Sequence, residues 1–343
     1  MEVTSYQRLR HNLNLWFCSI KVLRPYRPQS TPGAVLLGIA ADGRFPSNVV
    51  VSDKNGINVL SKPGGLESIA RSVMYAAFTK TNIRVYNAGM LDDIDGFDDL
   101  DIEDIQLEQY LKVLLYLMAG HFPITVGSSD FISIASYQAL SAHLYQQQYH
   151  QHNKWYGCEY DAGNNKIGII NFDPNFELRL TPSPKLDSGF NAVNQYCLET
   201  FKIFNYLGLG ICKRTNSLDT FEYAKQLGCD WLIDKHMSAQ HYDLIAEVLA
   251  CFIEQVDHIH LSIDLAVIYH QALLTENDSR HASQIQGITI EVLRFALSII
   301  ARSGKLKILD IVTLNPDLEH NDKTTSYVSS IICTVLENLK VSS

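Results

Sequence analysis

The chain has 343 residues, 46% of them hydrophobic and 19% charged, enough to bury one large core in a single domain spanning 1–343. Its formal charge of −9 is spread along the chain with no concentrated basic surface, which argues against nucleic acid as a partner. No apolar run reaches the roughly 18 residues of a membrane span and the N-terminus carries no secretory apolar region, so a soluble, cytoplasmic protein is expected, with no membrane partner.

In chain order, residues 1–32 read as an N-terminal extension, followed by short apolar runs alternating with segments of helical period. Strands are predicted at 33–40, 83–89, 123–127, 166–173, 206–212, 229–233, 258–267 and 305–313. Helical patterns fall at 66–78, 105–118, 217–227, 242–254, 290–301 and 324–339. About eight strands separated by crossover helices imply an α/β fold of three αβα layers, with a mostly parallel sheet buried on both faces. Runs such as Ile-Gly-Ile-Ile-Asn-Phe at 167–172 suit that burial.

Several local features read as ordinary structure. Gly64-Gly65 lacks the spacing of a phosphate loop and reads as a turn. The acidic run 91–104 lacks the ordered spacing of a calcium loop and reads as a solvated loop or helix start. The stretch YQQQYHQHNK at 145–154 opens an insertion loop over 145–165, where His150 and His152 could chelate a metal or simply be polar loop residues. Cys18, Cys158, Cys197, Cys212, Cys229, Cys251 and Cys333 contain no CxxC pair and read as reduced thiols.

Ligands of open parallel sheets bind beyond the carboxyl ends of the strands. Three predicted strand ends are unusually polar: Gly127-Ser128-Ser129-Asp130, Asp173-Pro174-Asn175-Phe176-Glu177, and the strand leading to Asp264. Together they offer Asp130, Asp173, Glu177 and Asp264. Four carboxylates without a cation repel one another, and some stay protonated. With a hard cation they form an oxygen cage. Strand-end carboxylates also cap helices and backbone amides, so spacing alone leaves both readings open.

At these strand ends the chain resembles the ureohydrolases, the arginase, agmatinase and formimidoylglutamase family, and formimidoylglutamases most of all. VGSSDFIS (126–133), NFDPNFELR (171–179) and SIDLAV (262–267) stand where the family has GGGHE or GGDHS, DAHxD and DLD. KILDIVTLNPDLEHNDKT (307–324), DSGF (187–190) and GIAADG (38–43) resemble further family segments, so the likeness covers roughly residues 33 to 340.

The resemblance implies an arginase-like fold and a binuclear manganese centre whose bridging hydroxide attacks an amidine or guanidine carbon of a small-molecule substrate. It also implies homo-oligomers. Carried over residue by residue, Asp173 and Asp264 keep bridging carboxylates, Asp130 replaces a His ligand and Glu177 replaces an Asp. Asn175 replaces the second His, Ala266 removes a terminal Asp, and Thr313 replaces a substrate-holding Glu, beside Ser188 and Asn191 as possible pocket residues. One metal position thus retains four carboxylates, suited to one Mn or Mg ion, while the other loses its ligands.

Three functions follow. A catalytically degenerate homologue is the leading one. A hydrolase of linear amidine or guanidine C–N bonds using one caged cation is the second, and an orthodox formimidoylglutamase tolerating altered ligands is the third.

Overall fold

Runs of five to seven branched or aliphatic residues favour strands, and alternate side chains along such a strand point to opposite faces. In 167–172 this sends Ile167 and Ile169 into one hydrophobic core and Ile170 and Phe172 into another, all buried. The computed structural model describes residues 24–39, 83–91, 102–127, 130–152, 165–179, 189–268, 287–312 and 323–340.

Nine strands are described: β1 (Arg24–Pro25), β2 (Ala34–Ile39), β3 (Val85–Met90), β4 (Phe122–Gly127), β5 (Ile167–Phe172), β6 (Asn205–Ile211), β7 (Asp230–Ile233), β8 (His258–Asp264) and β9 (Leu306–Val312). They form one sheet in the order β1-β3-β2-β4-β9-β8-β5-β6-β7. Every pairing is parallel. The ninth strand is the two-residue β1, too short to be legible in the sequence.

The helices are α1 (Ile102–Met118), α2 (Ile132–His152), α3 (Gly189–Glu199), α4 (Leu218–Gln226), α5 (Tyr242–Gln255), α6 (Ile290–Arg302) and α7 (Lys323–Asn338). Right-handed crossovers decide their sides. The steps from β3 through β4, β5 and β6 to β7 all move in one direction across the sheet, which places α1 to α4 on one face. The return steps from β7 to β8 and β9 place α5 and α6 on the other. Packing agrees: α1 contacts α2 and α2 contacts α3, whereas α5 contacts α6 and α6 contacts α7. One core joins Leu249, Phe252, Leu297 and Ile331 to the sheet, and the other joins Val113, Tyr137, Leu140 and Val193 to it.

Side-chain caps begin two of these helices, as their sequences suggest. Ser217 accepts the Thr220 amide at the start of α4, and Thr289 accepts the Val292 amide at the start of α6. The predicted insertion loop is corrected in its first half, since 145–152 continue α2. Gln is a good helix former, and His143 bonds Gln147 one turn on at 2.9 Å. The solvent side of the helix simply lacks apolar period. Residues 153–164, the predicted helix 66–78, Gly64-Gly65 and the N-terminal part of the extension (1–23) lie outside the described residues. Of the acidic run, Glu103 and Asp104 open the first turn of α1, where carboxylates suit the helix dipole.

Candidate functional site: an acidic cluster at the carboxyl edge

The four neighbouring strands β4, β9, β8 and β5 occupy the centre of the sheet, and the candidate residues leave their carboxyl ends. Just beneath lies a row of polar side chains in register across these strands: Thr125 opposite Asp310, Asp310 opposite Ser262, and Ser262 opposite Asn171. All four are buried. Asp310 accepts hydrogen bonds from Thr125 Oγ1 and from Ser136 Oγ of α2 at 2.9 Å, and its other oxygen pairs with His260 Nε2 at 2.7 Å. Gln109 of α1 donates in turn to Ser136 Oγ at 3.0 Å. His260 is therefore committed to Asp310 within the sheet, and His258 pairs with Asn165. Both stay upstream of the carboxyl edge, where the strand rise places them.

Asp130 closes the turn after β4. Its carbonyl accepts the Ser133 amide at the head of α2, and Oδ2 accepts the Gly189 amide at the head of α3 at 3.1 Å. A helix N-terminus facing a carboxylate is electrostatically favourable. The approach is so close that a Cβ on residue 189 would sit 2.3 Å from the Asp130 carbonyl oxygen. Gly189→Ala should therefore push α3 off Asp130 and lower stability by about 2–3 kcal/mol; an unchanged melting temperature would refute this close-packing account.

Asp173 is buried at the end of β5. Its Oδ1 accepts the Asn175 amide at 2.6 Å and its Oδ2 accepts Asn171 Nδ2 at 3.4 Å. The same Asn171 amide reaches Tyr206 Oη at 3.1 Å, and Tyr206 donates to the Phe176 carbonyl at 2.9 Å. These bonds fix the loop 173–177, which ends with Glu177 at a left-handed φ of 50°. Such a backbone is costly for a residue with a Cβ, and strain of this kind gathers at functional sites. The Glu177 carbonyl accepts the Asn191 amide at 3.2 Å. Asn191 itself is fully buried, its Oδ1 accepting from Tyr223 Oη at 3.3 Å. Asp264 ends β8 and caps the short turn Leu265–Val267, its Oδ1 accepting the Ala266 amide at 2.6 Å.

The charges crowd together. Burial, then the Asp264 and Glu177 carboxylates, push the Asp173 carboxyl well above its usual range, against the opposing Asn175 amide. Burial and then Asp130, by charge and by a shared hydrogen bond, push Glu177 well up, against Arg179. Among the described residues, however, no three His, Cys, Asp or Glu side chains stand ready to hold a metal ion. The four acids form an electrostatic cluster in which Asp130, Asp173 and Asp264 each bond a backbone amide. Ala266 carries no side-chain donor atom, and Asn175 meets Asp173 through its backbone amide.

Ser188, Thr313, Ser128, Ser129, Tyr269 and His270 lie outside the described residues. Phe131, Phe176 and Phe190 are buried in the core. The Phe176 ring meets Phe221 and Trp231 at 5.0 and 5.4 Å, and Phe190 meets Tyr206 at 5.4 Å. The supporting residues Asn171, Tyr206, Gly189, Thr125 and Asp310 escaped sequence reasoning. Their signal was present: Asn171 and Asp310 interrupt strands that are otherwise apolar.

The αβα layers and the acids at the carboxyl edge define an α/β protein of ureohydrolase type. The family model described as the arginase family matches residues 66–337, and the chain belongs to that family. Within it, the chain is 26% identical over 319 residues to the formimidoylglutamase of Aeromonas salmonicida, covering 92% of this chain and 90% of that protein. Among solved structures, formimidoylglutamase from Bacillus subtilis superposes with a TM-score of 0.66 at 16% identity, covering 94% of this chain and 91% of that one. A variant of Trypanosoma cruzi formiminoglutamase with Mn2+ gives a TM-score of 0.63 at 13% identity, covering 93% and 97%. At these identities the structural likeness speaks for the fold. No described helix is long and apolar enough to cross a membrane.

Proposed function

We propose that this chain is a formimidoylglutamase-like member of its family that has lost paired-metal hydrolysis and acts as a single-domain protein binding a small amidine- or guanidine-bearing molecule. The observation that carries this reading is the loss of donors at Ala266 and Asn175 beside carboxylates already bonded to backbone amides. A hydroxide held between two metals needs ligands on both sides, and one side keeps only the shared carboxylates Asp173 and Asp264 beside a neutral Asn175. Membership of all nine strands in one sheet supports the single-domain reading.

Protein purified without chelators should contain well under one manganese per chain by elemental analysis. With manganese supplied, it should not hydrolyse formimidoylglutamate, arginine, agmatine or guanidinobutyrate. Turnover of any of these, abolished by Asp264→Ala, would sink the proposal. A second reading, hydrolysis with one Mn or Mg ion among Asp130, Asp173, Glu177 and Asp264, is favoured only by the uncompensated charge around Asp173 and Glu177. It requires near-stoichiometric metal that Asp173→Ala removes.

A further inference from the structure

The central strands carry a second polar group at their amino ends, opposite the acids. There β8 and β9 fall out of step: Ile259 pairs with Leu306 but His260 pairs with Ile308, so Lys307 is an extra residue. A bulge of this kind re-aims a side chain. Leu306 packs in the core on the α5 to α7 side and Ile308 in the core on the α1 to α4 side. The extra step between them turns Lys307 toward α2. His258 shares that face, two residues before His260 on β8 and opposite Ile167 of β5.

Helix α2 brings the third group. Its Ser136 bonds Asp310 in the sheet, and His143 follows two turns later on the same side of the helix. Those seven residues advance the helix by about 10 Å, and β9 covers about the same distance from Asp310 back to Lys307. His143 thus comes over Lys307 and His258. The charges agree with this placement. Burial and then the Lys307 ammonium hold the His143 imidazole down. Burial, then Lys307, push His258 down to about 4, with Asp257 opposing and His143 and Lys305 adding.

Each of the three groups has unused bonding capacity. Lys307 is half-buried, and among the described residues its ammonium has no acceptor and no acid partner. An ammonium drawn out of water without a partner is costly. His143 Nε2 accepts from Gln147 Nε2 at 2.9 Å, which places the ring proton on Nδ1. His258 Nε2 donates to Asn165 Oδ1 at 3.0 Å, which leaves Nδ1 as a buried lone pair without a partner. The neighbouring charges are engaged elsewhere. Asp257 accepts the Lys166 amide, and Lys305 Nζ donates to the Ile253 and Val256 carbonyls.

We propose that His143, His258 and Lys307 form an oxyanion site at the amino edge of the sheet, selective for a dianionic phosphate group. Lys307 and His143 Nδ1–H donate to its oxygens directly. His258 joins by taking a proton on Nδ1, which turns the buried lone pair into a donor. The ammonium and one imidazolium then carry two positive charges, matching a dianion better than a single carboxylate. A bound dianion raises the His258 imidazole above its depressed free value, so binding takes up a proton and tightens as pH falls. The site lies at the other end of the strands from the acidic cluster and does not rest on its metal reading.

Titration calorimetry of the full chain with sulfate tests this, because sulfate keeps its charge between about pH 6 and pH 8, unlike phosphate. Chloride holds the ionic strength constant. One ion per chain is expected, bound about fivefold or more tighter near pH 6 than near pH 8 and with proton uptake. Lys307→Met should weaken binding about tenfold or more, with an unchanged or raised melting temperature because an unpaired ammonium is removed. His258→Gln should still bind near pH 8 but lose the pH dependence. Inorganic phosphate and phenyl phosphate, compared near pH 8, then assign the site to the free ion or to an ester by whichever binds tighter. No binding below about 10 mM overturns the proposal. Binding indifferent to Lys307→Met, an adventitious ion only, overturns it too, as does acetate binding as tightly as sulfate or a pH dependence intact in His258→Gln. A lowered melting temperature in Lys307→Met also overturns it, because the ammonium would then have a partner in its own chain.

Discussion

Asp310→Ala should lower stability by about 3–5 kcal/mol, among the largest effects of any single change in this chain. The side chain is fully buried, and it receives Thr125 from β4, Ser136 from α2 and His260 from β8. Removing it strands three buried polar groups whose water was given up on folding, and each unsatisfied group costs on the order of 1–3 kcal/mol. Replacing both members of the pair differs in kind. His260→Leu with Asp310→Leu exchanges polar partners for apolar volume and should recover part of the loss. Thermal or urea unfolding of the two single variants and the double variant reads this directly. A loss below about 1 kcal/mol for Asp310→Ala would mean that water replaces the carboxylate easily, and the network would then be incidental.

Asp173→Asn should act in the opposite direction, stabilising the metal-free protein at pH 8 by at least about 1 kcal/mol. Burial and neighbouring acids hold the folded carboxyls of Asp173 and Glu177 well above their unfolded range. The unfolded values lie near 4. Between those values and the raised folded ones, the folded chain binds more protons than the unfolded chain. The stabilising contribution is therefore fully present below about pH 4 and is lost as pH rises through the folded values. Melting temperature should fall from pH 5 toward pH 8 in the wild type through these two groups, and less steeply in Asp173→Asn. A cation held by the cluster would reverse the sign, stabilising the wild type on addition of manganese and removing that gain in Asp173→Asn. The proposed function expects no manganese-dependent shift in either protein, and a clear shift confined to the wild type would count against it.

Much of the architecture was legible because each buried strand announces itself twice, by β-branched apolar residues and by the helical segment that follows. The eight long strands of the sheet coincide with runs read from the sequence to within a few residues. The polar tail of α2 was misread because an exposed helical face without apolar residues shows no period. The two-residue β1 carries no pattern at all, and β3 pairs with it through backbone alone.

The acids Asp130, Asp173, Glu177 and Asp264 were visible as charges at the ends of apolar runs, since a carboxylate there needs a partner. The sequence alone determined that an apolar Ala266 and a neutral Asn175 stand where the resemblance expects an Asp and a His, because side-chain chemistry is a property of residue type. It also determined the parallel order of layers, through hydrophobic periodicity and crossover length. Only the tertiary structure decided which partners the acids take. Gly189 on Asp130, Asn175 on Asp173 and Ala266 on Asp264 are backbone amides, and every non-proline residue has one, so sequence cannot single them out. The crossovers also decided which helices share a layer, since the face a helix covers depends on which strand its chain reaches next.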